Sequence, residues 1–188
     1  MRVNPYVPEL LGVVASLVNE RPADLGELEE RWRSFGMPVD NPAGPRDTGA
    51  VRRFLDAWEA LADEADEGAR VVLLNGLLRR FASAPLVTDH DGSGWHLHYR
   101  AADASLGETL AASVSVATAE HLTRNGMHRI GRCARANCRR VFVDLSRPGR
   151  QRYCSHPCAN RDAVRRHRRS RATSRATSSA TSGADVRD

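Results

Sequence analysis

The sequence predicts a mainly helical body interrupted by one β-hairpin, an α+β arrangement, followed by a small cysteine-bearing module. Three observations predict it. Most of residues 1–128 carry apolar side chains at helical spacing, one short stretch alternates strictly, and all four cysteines fall within 26 residues toward the basic end of the chain. At 188 residues and 41% hydrophobic content, the chain can bury one core and support a small appendage.

The first apolar run, "LLGVVASLV", places Leu10, Leu11, Val14, Leu17 and Val18 on a helical stripe. It is too short to cross a bilayer, and Pro8 and Glu9 stand where a secretory signal would carry positive charge. "DLGELEERWRSFG" predicts a second helix, with Asp24 as N-cap, Glu27 completing a capping box and Gly36 as the stop. Leu25, Leu28, Trp32 and Phe35 form its stripe. Three prolines in "MPVDNPAGPRD" make a loop. A third helix is expected from Asp47 to Glu67 on Val51, Phe54, Leu55, Trp58 and Leu61, and a fourth from Ala69 to Ala82 on Val71, Leu74, Leu77, Leu78 and Phe81. In "APLVTDHDGSGWHLHYR", an Asp91–Gly94 turn separates two short runs, and Trp95, Leu97 and Tyr99 alternate with His96, His98 and Arg100, so a β-hairpin is expected. A last body helix runs from Asp103 to Asn125, closed by Gly126. Trp32, Phe54 and Trp58 read as core rather than pocket at this spacing. His96 and His98 could be ligands or an acid–base pair, but without a third group at a fixed spacing they read as a solvated strand face.

The cysteines are spaced Cys133-x4-Cys138, fifteen residues, then Cys154-x3-Cys158. A chain expected in the cytoplasm keeps thiols reduced, so the cluster points to metal before disulfides. Two short-spaced pairs can supply four soft ligands at tetrahedral corners, which suits one structural zinc ion and closes its shell against catalysis. "CARANC" reads as a tight knuckle. Between the pairs a strand at Val141–Val143, a turn at Arg147–Gly149 and a return strand ending at Tyr153 are expected, and the i, i+4 spacing puts Cys154 and Cys158 on the first turn of a helix. Knuckle, hairpin and helix start together describe a treble-clef-like module. It has too little apolar content to hold a fold without metal.

Charge is divided sharply. Residues 1–128 hold 12 Arg and 19 acids, a net of −7, whereas residues 129–188 hold 16 Arg and 4 acids, a net of +12. All 28 cationic residues are arginine, which we read as codon bias. Behind Cys158 come Asn160, Arg161, Arg165, Arg166, Arg168 and Arg169, and Arg161, Arg165, Arg168 and Arg169 fall on a single helical stripe. A module this positive must repel itself, stick to the acidic body or bind a polyanion, and for a metal-pinned basic helix double-stranded DNA is the leading expectation.

The stretch "CARANCRRVFVDLSRPGRQRYCSHPCANR" resembles the CGNR-type zinc finger through its paired cysteines, Phe142, Asp144, Ser146 and Arg147, Tyr153 before the third cysteine, and Cys158, Ala159, Asn160 and Arg161 at its end. Ala159 stands where that pattern carries glycine, and in a continuing helix alanine is the better former. The helical body, with "SLVNE" in its first helix, is similar to the ABATE domain that precedes such fingers. The resemblance implies a bacterial, stress-linked transcription regulator. It implies an ABATE-like domain at 1–128 and the finger with its basic helix at 129–170; the remaining Ser/Thr/Ala-rich tail at 171–188, whose near-repeat "RATSRATSSATS" has no apolar period, reads as disordered.

Phosphate loops, nucleophile elbows and catalytic carboxylate pairs are missing from the sequence, so no enzyme is expected. The leading function is DNA binding, with Asn160 and Arg161 either on DNA or bracing the knuckle. The alternative is an interaction module whose basic finger docks on an acidic partner or on its own acidic body. RNA ranks lower, since few aromatics accompany the arginines. The body is expected to dimerise or to take a small-molecule effector, and no membrane association is expected.

Overall fold

The computed structural model describes residues 6–89 and 94–181, with side chains described as far as Arg171. Six α-helices and two small antiparallel sheets lie among the described residues. The first helix, α1 (Val7–Asn19), is buried on most sides through Val7, Leu10, Leu11, Val13, Val14, Leu17 and Val18. Beside it lies α2 (Leu25–Ser34), where Asp24 Oδ1 accepts from the Glu27 amide at 2.8 Å and Glu27 Oε2 accepts from the Ala23 amide at 2.7 Å, a variant of the expected capping box.

The third helix, α3 (Asp47–Asp63), ends four residues before the expected Glu67 because Asp66 caps the next helix, accepting from the Ala69 amide at 2.8 Å. That helix is α4 (Glu67–Phe81). The hairpin follows as β1 (Leu86–Thr88) and β2 (His96–His98), paired Leu86 to His98, Val87 to Leu97 and Thr88 to His96. Of its expected Asp91–Gly94 turn, Gly94 is described, at φ +103°, and 91–93 lie outside the described residues.

The long α5 (Leu106–Asn125) starts at a full capping box between Ser105 and Glu108. It packs against α1, α3 and α4, and its buried Gly107, Ala111, Ala112, Ser115, Ala117 and Thr118 are small enough to admit those neighbours closely. Ser115 and Thr118 hydroxyls turn back to the Ala111 and Val114 carbonyls at 2.7 Å, so their burial leaves no orphan donor. Trp32, Phe54 and Trp58 are core, as the sequence indicates, and Trp58 Nε1 donates to Thr118 Oγ1 at 3.0 Å.

Past a 3-10 turn at Met127–Arg129, β3 (Ile130–Arg132) pairs with β4 (Val141–Val143). The expected partner of β4 was a strand ending at Tyr153, but residues 150–153 are not strand. The β3–β4 pairing wins because Ile130 and Val141 join the same apolar cluster as α1 and α3, whereas "RQRY" offers no face to bury. Among the described residues no helix is long and apolar enough to cross a membrane.

The last helix, α6 (His156–Thr181), extends beyond Arg171, where the sequence predicts disorder. The remaining tail, 182–188, lies outside the described residues.

Candidate metal centre and basic helix

The knuckle is the loop of the β3–β4 hairpin. The Cys133 amide donates to the Arg140 carbonyl at 2.9 Å, closing the ladder, and the Cys138 amide donates to the Arg135 carbonyl at 3.0 Å, forming the turn. Asn137 holds φ +66°, a left-handed conformation that asparagine tolerates better than most residues. The Ala134 amide reaches the Arg152 carbonyl at 2.7 Å and draws the segment before Cys154 against the knuckle.

The second cysteine pair straddles the start of α6. Ser155 is the N-cap, its Oγ accepting from the Cys158 amide at 3.4 Å, and Pro157 follows in the first turn, where its missing N–H is harmless. Cys158 is therefore on the helix and Cys154 precedes it, which corrects the expectation that both lie on the first turn.

All four sulfurs lie within 4.8 Å of one another. The Cys138–Cys154, Cys154–Cys158 and Cys138–Cys158 separations are 3.8, 3.6 and 3.9 Å. A tetrahedron with zinc–sulfur bonds of about 2.3 Å has edges of about 3.8 Å, so the cluster fits one zinc ion held by Cys133, Cys138, Cys154 and Cys158. The Arg140 backbone amide at Cys138 brings that thiol down to about 7, while burial pushes Cys154 up to about 12. A bound divalent cation removes the difference by stabilising all four thiolates. Arg135 is held above its ordinary value chiefly by its bond to the Cys138 sulfur, and so sets a positive charge against an anionic cluster.

Two acids lie between residues 129 and 171, Asp144 and Asp162, and each organises part of the module. Asp144 is buried; its Oδ1 accepts from the Ser146 amide at 2.9 Å and hydroxyl at 2.5 Å, and its Oδ2 from the Gln151 amide at 2.9 Å. Burial opposes its ionisation, but these bonds and Arg129 outweigh burial and hold the carboxyl below its usual range. Arg129 also donates to the Ser146 carbonyl at 2.5 Å and lies over Gly149, at φ +65°, where a Cβ would come within 2.5 Å of the guanidinium carbon.

Asp162 Oδ2 accepts from the Tyr153 hydroxyl at 2.7 Å and from Arg166 Nε at 3.1 Å. This fixes the roll of α6 and ties Arg166 to the helix. Asn160, Arg161, Arg165, Arg168 and Arg169 are exposed, and together with Val164 they line one shallow groove along α6. The side chains of Asn160 and Arg161 make no hydrogen bond or ion pair with the described residues.

The module is stitched to the acidic body at the hairpin. Asn19 Nδ2 donates to the Val141 carbonyl at 2.9 Å and its Oδ1 accepts from the Val141 amide at 2.7 Å. Arg132 pairs with Asp63 at 2.5 Å and Glu59 at 2.7 Å, and its bond holds the Asp63 carboxyl low. Arg70, buried on α4, reaches the Met127, Ile130 and Glu64 carbonyls. Sequence reading missed these stitches, since nothing in a helical period marks which polar residue meets a distant strand. Asp162 alone left a signal, as the one acid in a run of arginines.

His96 and His98 are half-buried, with their Nε2 atoms 3.1 Å apart. Among the described residues, the four cysteines are the one group of three or more His, Cys, Asp and Glu ligand atoms gathered tightly enough for a metal. Residues 129–171 match the CGNR zinc finger family. No curated protein matches the chain.

Proposed function

We propose that the chain is a zinc-dependent DNA-binding protein, a bacterial transcription regulator rather than an enzyme. Its ABATE-like helical body dimerises or takes an effector, while α6 lies against duplex DNA. The observation that carries this reading is the groove of α6, where exposed arginines lie directly behind a four-sulfur site that fixes their helix. Zinc supplies rigidity and no chemistry. Among the exposed arginines of the finger, Arg161, Arg165 and Arg169 neutralise phosphates while Arg168 reaches a base edge, and Asn160 is available to DNA because its side chain braces nothing in the knuckle. About five phosphate contacts give a slope of roughly −4 to −5 in log affinity against log salt.

The test is fluorescence anisotropy of a labelled duplex titrated with purified protein over a salt series, with and without a zinc chelator. The expected result is a steep salt slope and loss of binding on chelation. A flat salt response removes the reading.

A second reading is favoured by the ion pairs of Arg132 with Glu59 and Asp63, in which the finger already docks on its own acidic body. That contact uses the hairpin and leaves the arginine groove of α6 facing outward, so it accounts for less of the charge than DNA does. Crosslinks from α6 to residues 1–128, with indifference to duplex, would favour it.

A further inference from the structure

One residue of the α6 groove does not belong in a surface built only for charge. Val164 is 51% exposed on a helix whose other side chains from Asn160 to Arg171 are polar or alanine, and it lines the same groove as Asn160, Arg161, Arg165, Arg168 and Arg169. A valine is also a weaker helix former than alanine or arginine, so local propensity does not account for it. Phosphate contact requires only the arginines.

We propose that this groove reads base edges in the major groove of duplex DNA and that Val164 seats on the methyl group of a thymine. The inference rests on the DNA-binding reading above and adds sequence specificity to it. Asn160, Val164 and Arg168 succeed one another at i, i+4 and i+8, a line about 12 Å long at 1.5 Å per residue. That length spans roughly three to four base pairs at 3.4 Å each. The chemistry along the line matches what the major groove presents. An asparagine can pair in bidentate fashion with adenine N6 and N7, an apolar side chain meets the thymine methyl, and an arginine pairs with guanine O6 and N7.

The remaining polar groups of the helix agree with this assignment. Asp162, the acid that would repel DNA, is turned to Tyr153 and neutralised by Arg166. The Tyr153–Asp162 bond sets the roll of the helix, Arg166 is held on Asp162, and the reading line is Asn160, Val164 and Arg168 with Arg161 and Arg165 beside it. Double-stranded RNA would not serve, because its major groove is too narrow and deep for a helix bearing these side chains.

The experiment uses the full-length, zinc-loaded protein. It is first used to select from a randomised duplex pool, and the best sequence is then made in two forms, one with thymine and one with deoxyuridine at every thymine position. The expected result is a shared motif containing a fixed A·T pair, and about fourfold weaker binding of the uracil form, the worth of one buried methyl group. In Val164→Ala that ratio falls to about one, while Val72→Ala, an exposed valine on α4, retains it. In Asn160→Ala the preference at the neighbouring base pair relaxes. If a motif is selected but the wild type binds both forms alike, or Val164→Ala keeps the fourfold ratio, the assignment is overturned. If duplex is bound with the expected salt slope but no motif emerges, base reading falls and DNA binding stands. If no duplex is bound, both fall.

Discussion

The helical body and the cysteine module are held together by different kinds of force, and the contrast explains which changes each can survive. The body gathers residues from α1 to α5 into one apolar cluster, where burial is non-directional and shared over many side chains. Among the described residues beyond Cys133, only Val141, Phe142 and Cys158 are buried apolar residues, and order there depends on four sulfurs, Asp144 and Asp162. A shared core degrades by increments, while a site of four point contacts fails when one is lost.

The most drastic way to break the contrast is to remove the metal. Chelation, or Cys158→Ser, is expected to abolish duplex binding and unfold the knuckle and residues 152–171, leaving β4 on the body, since structural zinc in modules of this size contributes on the order of 10 kcal/mol. The body should keep its helical circular dichroism and a cooperative melt. Elemental analysis should find one zinc per wild-type chain and none in the variant. A body that collapses together with the metal site would mean that the two regions are energetically one.

The reverse dependence is next in size. Trp58 is fully buried, and Trp58→Ala should cost about 3–5 kcal/mol, chiefly through the cavity, with the bond that Thr118 Oγ1 accepts lost as well. Because Ile130 and Val141 belong to the body's core, melting this variant should release zinc at the temperature where the helices unfold. A chromogenic zinc indicator followed beside the circular dichroism checks it; zinc held well above the body's melting temperature would contradict the expected one-way dependence.

The two regions were also unequally legible. Helices α1 to α5 could be read from period, caps and stops because their burial is written on one face of each segment. Where boundaries slipped, a cap decided them, as Asp66 does at the start of α4. The four ligands could be read from spacing alone. The partner of β4 could not, because Ile130, Gly131 and Arg132 show no alternation long enough to mark a strand, and the places where the hairpin buries, α3 for β3 and α1 for β4, are distant in sequence. Nor could the loop fixed by Asp144 be derived from its residue types: one carboxylate serving the backbone and side chain of Ser146 and the amide of Gln151 leaves no periodic trace.

The seam between the regions is Asn19, and it allows a finer test. Its amide meets both the N–H and the C=O of Val141, a buried residue whose backbone has its outer edge turned to α1. Asn19→Ala leaves those two groups unpaired and should cost about 1–3 kcal/mol. Hydrogen exchange at the Val141 amide should quicken by one to two orders of magnitude at that cost. Zinc stoichiometry should stay at one, since no ligand is touched. Unchanged exchange at Val141 would show that the apolar contacts of β4 hold it without the asparagine.

The smallest effect expected is a pH slope from His121, buried on α5 where the body meets the module. Burial disfavours its charged form, the Arg129 cation adds to that, and Asp144 works the other way, leaving its folded-state value below the ordinary 6.5. Asn125 Nδ2 lies 3.3 Å from its Nδ1, consistent with a neutral ring, and its Nε2 is buried without a partner. The unfolded chain therefore takes up a proton first as pH falls through about 6.5, and the native state loses stability from there down to the depressed folded value, with no further contribution below it. Zinc also leaves as acid protonates the thiolates, so the informative quantity is the difference between wild type and His121→Leu. Leucine fills the same space without a titrating group, and the fall in melting temperature from pH 7.5 to 5.5 should be smaller in the variant. Equal falls would mean that the acid sensitivity resides in the sulfur cluster alone, and that the body contributes nothing to the pH response of the module it carries.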